Sequence, residues 1–257
     1  MIIRLLARSL MQRLYERKFS GITPYYREGF PSRLEAAEWQ IQRCSNDVIL
    51  EIGCGRDMHT ALIAALKYGK KVLAFDVTRI ANLELINFTA AKLGHAPAFT
   101  SLNALESIGI TYVVAKDITH LHGFKDIVSN AVFEHIPPPQ LVDIFRFASQ
   151  NQIESITAII DFKDHWSYIE NVGADHFYYL PEFLWSFLNN RRMYQNRLRF
   201  SDINKMAKTS GFKIAALNST IDDDLVIKDH LLHRFKKYSP NDLRTMRVSV
   251  HWKSDGA

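Results

Sequence analysis

The chain has few cysteines, no long apolar run, no internal repeat and no low-complexity tract. Its 257 residues contain two cysteines, Cys44 and Cys54, close in sequence and without a surrounding set of Cys or His partners. That excludes a disulfide scaffold and a Cys-rich structural zinc site, and it fits a reducing, cytoplasmic setting. No uncharged apolar stretch approaches the roughly 20 residues of a membrane span. Arg4 and Arg8 also interrupt the first segment before it reaches the length of a secretory apolar core. The 11 glycines and 8 prolines are scattered, which excludes a collagen-like or linker-rich chain. What is present is ordinary for a globular protein, with 47% apolar and 23% charged residues. A chain this long suits one α/β domain and can bury roughly 70–75% of its unfolded surface without a staple.

The charge balance is mildly basic, 32 Lys and Arg against 27 Asp and Glu, a net +5. The excess sits in two places. Residues 1–19 carry Arg4, Arg8, Arg13, Arg17 and Lys18 against Glu16, and residues 189–200 carry Arg191, Arg192, Arg197 and Arg199 with no acid. Each reads either as a solvated face or as a contact for an anionic partner. Ile2, Ile3, Leu6, Leu10, Leu14 and Tyr15 recur at helical spacing, so 1–19 is expected to form an amphipathic helix. Such a helix packs on its own domain or docks on a partner or membrane surface.

From residue 48 onward, short β-rich runs alternate with helical segments. Strands are expected at 48–51, 71–75, 111–115, 126–129 and 157–160, and two closing strands at 213–217 and 247–252. Helices are expected near 60–67, 82–93, 140–149, 201–210 and 225–237. Ser201 or Asp202 would cap the helix that Gly211 ends. This alternation indicates βαβ units: a Rossmann-like, doubly wound, mostly parallel seven-stranded sheet with helices on both faces. The N-terminal amphipathic helix and an aromatic-rich insertion after strand five are added to it. The expected organisation is a single domain over 1–257: a helical extension (1–44), a cofactor-binding core (45–162), a lid or acceptor insertion (163–200) and the C-terminal part of the sheet (201–257).

The sharpest local signal is Glu51-Ile52-Gly53-Cys54-Gly55-Arg56-Asp57, between a strand and a helix. A glycine turn there lets backbone approach a ligand and offers helix N-terminal amides to its polar atoms. Asp76 ends the second strand, where an open α/β sheet places the acid that takes ribose hydroxyls. The third glycine of a dinucleotide fingerprint is absent, because that position holds Met58, which counts against NAD or FAD. Glu51 either touches ligand or satisfies loop amides, and Cys54 reads as a small residue in a tight turn rather than a catalytic thiol.

These residues resemble the class I S-adenosylmethionine-dependent methyltransferase family, in its small-molecule branch. The family's E-x-G-x-G-x-G run is similar to 51–57, with Asp57 in place of the last glycine, and residues 124–136 look like its fourth-strand segment. The resemblance covers about 45–162 and, more loosely, 200–212. It implies S-adenosylmethionine as cofactor, held by Glu51, Gly53, Cys54, Gly55, Asp76, Asp117, Ile118 and Asn130, with Asp117 and Ile118 beside the adenine.

In-line methyl transfer draws mainly on alignment, but an oxygen nucleophile also needs a base or a metal. The sheet's carboxyl edge presents Ser129, Asn130, Glu134 and His135, then Asp161, Asp164 and His165. His165 and His135 are the catalytic candidates, with His176 a weaker third. Asp161, Asp164 and His165 are a conceivable magnesium set, but no spacing demands one and no metal is assigned. The aromatic segment 162–200, with its arginines, suits an acceptor wall for a sugar or phosphorylated glycan. The expected function is O-methylation of a small molecule or glycan with a histidine base. The alternatives are a cofactor sensor without turnover and a methyltransferase acting on protein or nucleic acid. A nucleic-acid acceptor is disfavoured, since 129–132 lacks the Asn/Asp-Pro-Pro-aromatic run that the resemblance would require. Acceptor identity and oligomeric state are not readable from the chain.

Overall fold

The computed structural model describes residues 21–168, 172–189 and 194–256. Seven strands form one sheet: β1 (Val48–Ile52), β2 (Lys71–Asp76), β3 (Ile110–Val114), β4 (Asp126–Asn130), β5 (Ser155–Asp161), β6 (Phe212–Ile221) and β7 (Thr245–Ser254). Their order is β3-β2-β1-β4-β5-β7-β6. β1 to β5 run parallel, and β7 is antiparallel to both neighbours. The central strands are near-continuous apolar runs because helices cover both sheet faces.

The helices are α1 (Pro24–Glu28), α2 (Phe30–Ile41), α3 (His59–Tyr68), α4 (Leu83–Lys92), α5 (Pro138–Gln150), α6 (Glu182–Leu188), α7 (Phe200–Thr209) and α8 (Pro240–Arg244). On one face, Ile41, Ala61, Leu62, Ile86 and Ala90 from α2, α3 and α4 pack on Ile49, Val72 and Val128. On the other, Leu141, Phe145, Ile203 and Ala207 from α5 and α7 pack on Leu50, Ile127, Ile156 and Trp252. Gln40 of α2 is buried in the first layer and donates to the carbonyls of Ser129 (2.8 Å) and Thr157 (3.2 Å). No helix among the described residues is long and apolar enough to cross a membrane.

The expected seven strands are all present, with ends that differ by no more than four residues. The helix expected at 225–237 is absent. That stretch holds one 3-10 turn, His233–Phe235, and Ile227, Leu231 and Leu232 dock on a separate aromatic cluster. The Leu232 amide donates to the Tyr178 carbonyl at 3.2 Å, so apolar spacing that looks helical serves a docked loop. At α7 the cap is neither Ser201 nor Asp202. Arg199 holds the N-cap position, and Asp202 sits at N3 and accepts from the Arg199 amide at 3.3 Å. The amphipathic helix expected at 1–19 lies outside the described residues.

Candidate active site

The parallel strands end on one edge, and the first half of the site is the turn after β1. Gly53 (φ 75°) and Gly55 (φ 71°) are both left-handed, a conformation that costs a side-chain-bearing residue about 1–2 kcal/mol. The amides of Gly53 and Cys54 donate to the Phe75 carbonyl at 2.9 and 3.1 Å, which ties the turn to the end of β2 and brings Asp76 beside it. A Cβ at Gly53 would stand 2.4 Å from Val132 Cγ2, whereas one at Gly55 would meet no atom within 4 Å. The turn is thus closed at its base and open at its tip.

Asp76 is buried, and burial raises its carboxyl while the amides of Thr78, Val77 and Gly55 pull it back. Glu51 is buried too; desolvation pushes it up to about 8 against a hydrogen bond from Thr60, and its Oε2 has no partner among the described residues. The Cys54 thiol packs in the core, where burial raises it well above the usual range, so it is an unreactive small residue.

Asp57, which stands in the last glycine position of the run, turns away from the opening. Its carboxylate pairs with Arg33 of α2, accepts from Thr89 Oγ1 at 2.9 Å, and lies 3.6 Å from His59 Nδ1. Burial opposes its ionisation, but His59 and Arg33 hold the carboxyl well below the usual range. Asn130 Nδ2 lies 3.1 Å from His59 Nε2, so Asn130 is joined to this network. Burial, then the Arg33 charge, lowers the His59 pKa. At the end of β3, Asp117 is exposed and accepts from Thr119 N (3.1 Å) and Oγ1 (2.5 Å), which lowers its carboxyl. Ile118 beside it is buried in the core.

The second half follows β4 and β5. A 3-10 turn, Phe133–His135, carries Glu134 and His135, and another, His165–Tyr168, carries His165. The two imidazoles meet at a tilt of 57° with centroids 4.8 Å apart. His135 Nδ1 meets the Tyr194 carbonyl at 2.7 Å, which makes Nδ1 the donor and leaves Nε2 its lone pair. His165 Nε2 has no hydrogen-bond partner among the described residues, and Asp161 Oδ2 lies 3.8 Å from it. Burial and the neighbouring His135 push the His165 pKa down to about 3, and burial lowers that of His135. Both rings are neutral at pH 7. Glu134 is 3% exposed; its Oε1 accepts from the Asp161 amide at 3.3 Å and its Oε2 has no partner. Burial and Asp161 raise its carboxyl well above the usual range.

Asp164 does not join this group. It is fully buried, accepts from the Trp166 amide at 3.0 Å and pairs with His176 Nδ1 at 3.2 Å, so Asp161, Asp164 and His165 do not form one cluster. His176 is thereby placed as the partner of Asp164.

Neither the family models nor the curated proteins compared with the chain match it. Solved structures do. One is the magnesium protoporphyrin IX methyltransferase of Synechocystis PCC 6803 with bound S-adenosylhomocysteine, 13% identical, with 98% of each chain covered and a TM-score of 0.53. Another is a cyclopropane synthase from Mycobacterium tuberculosis, 14% identical, covering 73% of this chain and 63% of that one, with a TM-score of 0.50. The fold is that of the class I S-adenosylmethionine-dependent methyltransferases.

On this methyltransferase fold, the segment after β5 corrects the expectation of exposed arginines. Arg197 and Arg199 are fully buried. Arg197 donates to the carbonyls of Phe177 (3.3 Å) and Leu180 (3.2 Å), pairs with Glu182, and lies 4.6 Å from the Trp185 ring centroid. Arg199 donates to the carbonyls of Phe162 (3.0 Å), Asp242 and Thr245 and lies over the Phe162 and Tyr178 rings. They are struts of an aromatic core built from Phe177, Tyr178, Trp185, Phe235 and Leu243. The physical cause is the carbonyls of an irregular segment, which need buried donors. Arg191 and Arg192 lie outside the described residues.

The residues that position the two histidines were missed in the sequence. Asn196 donates from its backbone to the Glu134 carbonyl (2.8 Å) and from Nδ2 to the carbonyls of Phe133 (2.7 Å) and Ile136 (2.8 Å). Gln195 accepts from the His165 amide (3.3 Å) and donates to the Lys163 carbonyl (2.6 Å). No local pattern signals such long-range clamps. Past Tyr168, an open depression of about 500 Å³ is lined by Lys163, Ser167, Ala174, Thr220, Ile221 and Met246.

Proposed function

We propose that the chain is an S-adenosylmethionine-dependent methyltransferase acting on the hydroxyl of a small-molecule acceptor. The observation that carries this reading is the open tip of the turn at Gly55, beside the buried Asp76 carboxylate, on the sheet edge that also bears His135 and His165. The residues present fit the cofactor. A Cβ-sized space stands free at Gly55, Asp76 at the end of β2 would take the ribose hydroxyls, and Asp57 leaves the opening clear by turning to Arg33. Gly53, Cys54 and Gly55 would offer backbone to the methionine part, and Asp117 and Ile118 would flank the adenine. Glu51, bonded to Thr60, and Asn130, bonded to His59, would complete the cofactor's surroundings.

The cofactor supplies an electrophilic methyl on a sulfonium. Held there, that methyl would be offered in line to the acceptor oxygen, and the hydroxyl proton would pass through a neutral imidazole of the pair to water. His165 and His135 are the catalytic residues in this reading, and both are neutral. Their low basicity makes them orienting acceptors rather than strong bases. The depression beside Tyr168 would be the acceptor's approach. With Arg197 and Arg199 buried, nothing in the described residues favours a phosphorylated glycan over another hydroxyl compound.

The test is transfer of labelled methyl from S-adenosylmethionine to a panel of phenols, sugars and hydroxy acids. The expected result is a labelled product that disappears in Asp76→Ala while the variant stays folded. Labelling that is equal in Asp76→Ala, or cofactor binding with no transfer to any acceptor, would overturn the enzyme reading and favour a cofactor sensor.

A further inference from the structure

We propose that Glu134, His135 and His165 form a binding site for one divalent first-row metal cation, of the zinc or manganese kind. One donor atom of each of the three residues lies within 4.8 Å of the others. Ligand atoms held about 2.0–2.1 Å from a tetrahedral ion stand about 3.4 Å apart, so the set would close by at most about 1.4 Å per pair. Two imidazoles and one carboxylate are the donor set of catalytic zinc and of non-haem iron sites, which keep positions open for a further ligand.

The second, independent observation is what the surroundings leave unmade. Glu134 is 3% exposed and its Oε2 has no hydrogen-bond partner among the described residues; His165 Nε2 has none either. Buried polar atoms are nearly always partnered, and here two unpartnered atoms in one three-residue cluster offer lone pairs that a cation would take up. The outer contacts have the form that metal sites use. His135 Nδ1 donates to the Tyr194 carbonyl at 2.7 Å, which turns its lone pair at Nε2 away from that bond. Glu134 Oε1 is fixed by the Asp161 amide at 3.3 Å. Asp161 itself accepts from Tyr168 Oη at 2.5 Å and from the Lys163 amide at 3.1 Å, so it is an outer carboxylate 3.8 Å from His165. Adjacent parallel strands β4 and β5 supply the two turns, and Gln195 and Asn196 clamp both.

Binding of the cation stands by itself; a role in transfer, holding the acceptor oxygen and acidifying its hydroxyl, rests on the methyltransferase reading.

The experiment titrates the full-length, chelator-stripped protein calorimetrically with zinc and with manganese, and records the visible spectrum with cobalt(II). The expected result is one site per chain for at least one of these ions, weakened at least tenfold in His165→Ala and in Glu134→Gln. The exposed His122→Ala control is unchanged. The cobalt d–d bands are lost in His165→Ala, and circular dichroism confirms that the variants fold. Should either variant unfold, displacement of cobalt from the wild type by zinc, with the spectrum of a mixed nitrogen–oxygen set, supports the site and a water-like spectrum refutes it. No saturable site, or equal affinity in folded His165→Ala, overturns the proposal. S-adenosylhomocysteine binding measured on the same metal-free sample separates the two readings, because either can fail while the other holds.

Discussion

The two halves of the sheet edge are built by different means. On the β1–β2 side, six consecutive residues, 53–58, make the turn, and its shape comes from left-handed glycines and two amides bound to Phe75. On the β4–β5 side, Glu134, His135 and His165 come from separate turns, and their placement depends on Tyr194, Gln195 and Asn196. Those in turn rest on a core braced by buried arginines. A backbone-made site is robust to its distant surroundings, whereas a side-chain-made site inherits the stability of whatever braces it.

The largest expected effect strikes the second half. Arg199→Ala strips donors from the carbonyls of Phe162, Asp242 and Thr245 and leaves a void among aromatics. Each orphaned group costs about 1–3 kcal/mol, so a loss of about 4 kcal/mol or more is expected in urea unfolding. S-adenosylhomocysteine affinity of the folded fraction should stay within twofold. A loss of cofactor affinity there would break the separation between the halves.

Next comes a pair within the first half. Gly53→Ala drives a methyl into Val132 at a left-handed position, for about 3 kcal/mol by thermal or urea unfolding. Gly55→Ala meets no protein atom, so it costs about 1 kcal/mol of backbone strain yet intrudes where ligand is proposed. Its expected signature is a tenfold or greater loss of cofactor affinity in a folded protein. Equal behaviour of the two variants would remove the distinction between base and tip.

Asp57 gives a pH-dependent effect. Its folded carboxyl is held below its unfolded value, so its contribution is full above the unfolded pKa and is lost as pH falls through the folded one. Asp57→Asn is expected to lose about 2 kcal/mol at pH 7 and to flatten the fall of stability between about pH 5 and pH 2. Denaturation midpoints across that range check it; a variant with the wild-type slope would deny Asp57 this role. The smallest effect belongs to exposed Asp117: Asp117→Asn should weaken cofactor binding two- to fivefold and leave the melting temperature unchanged.

The same contrast explains what could be read from the chain. The seven strands, the glycine turn and Asp76 were legible because period, strand ends and turn chemistry are local. The edge histidines were legible as candidates by their place after β4 and β5. Asp57 stood out only as a departure from the glycine pattern, because its partners, Arg33 and Thr89, are far away in sequence. Arg197 and Arg199 looked like surface charge for the same reason, since nothing local shows that carbonyls will surround them. The missing helix at 225–237 is a further case, with apolar spacing set by an aromatic core that only the folded chain assembles.

The central claim is that this edge binds S-adenosylmethionine through Asp76. Calorimetric titration of S-adenosylhomocysteine into the wild type and Asp76→Ala tests it most directly. The account predicts one micromolar site per chain that weakens at least tenfold in the variant, about 1.4 kcal/mol. An absence of binding to the wild type, or equal binding to a folded Asp76→Ala, would contradict it.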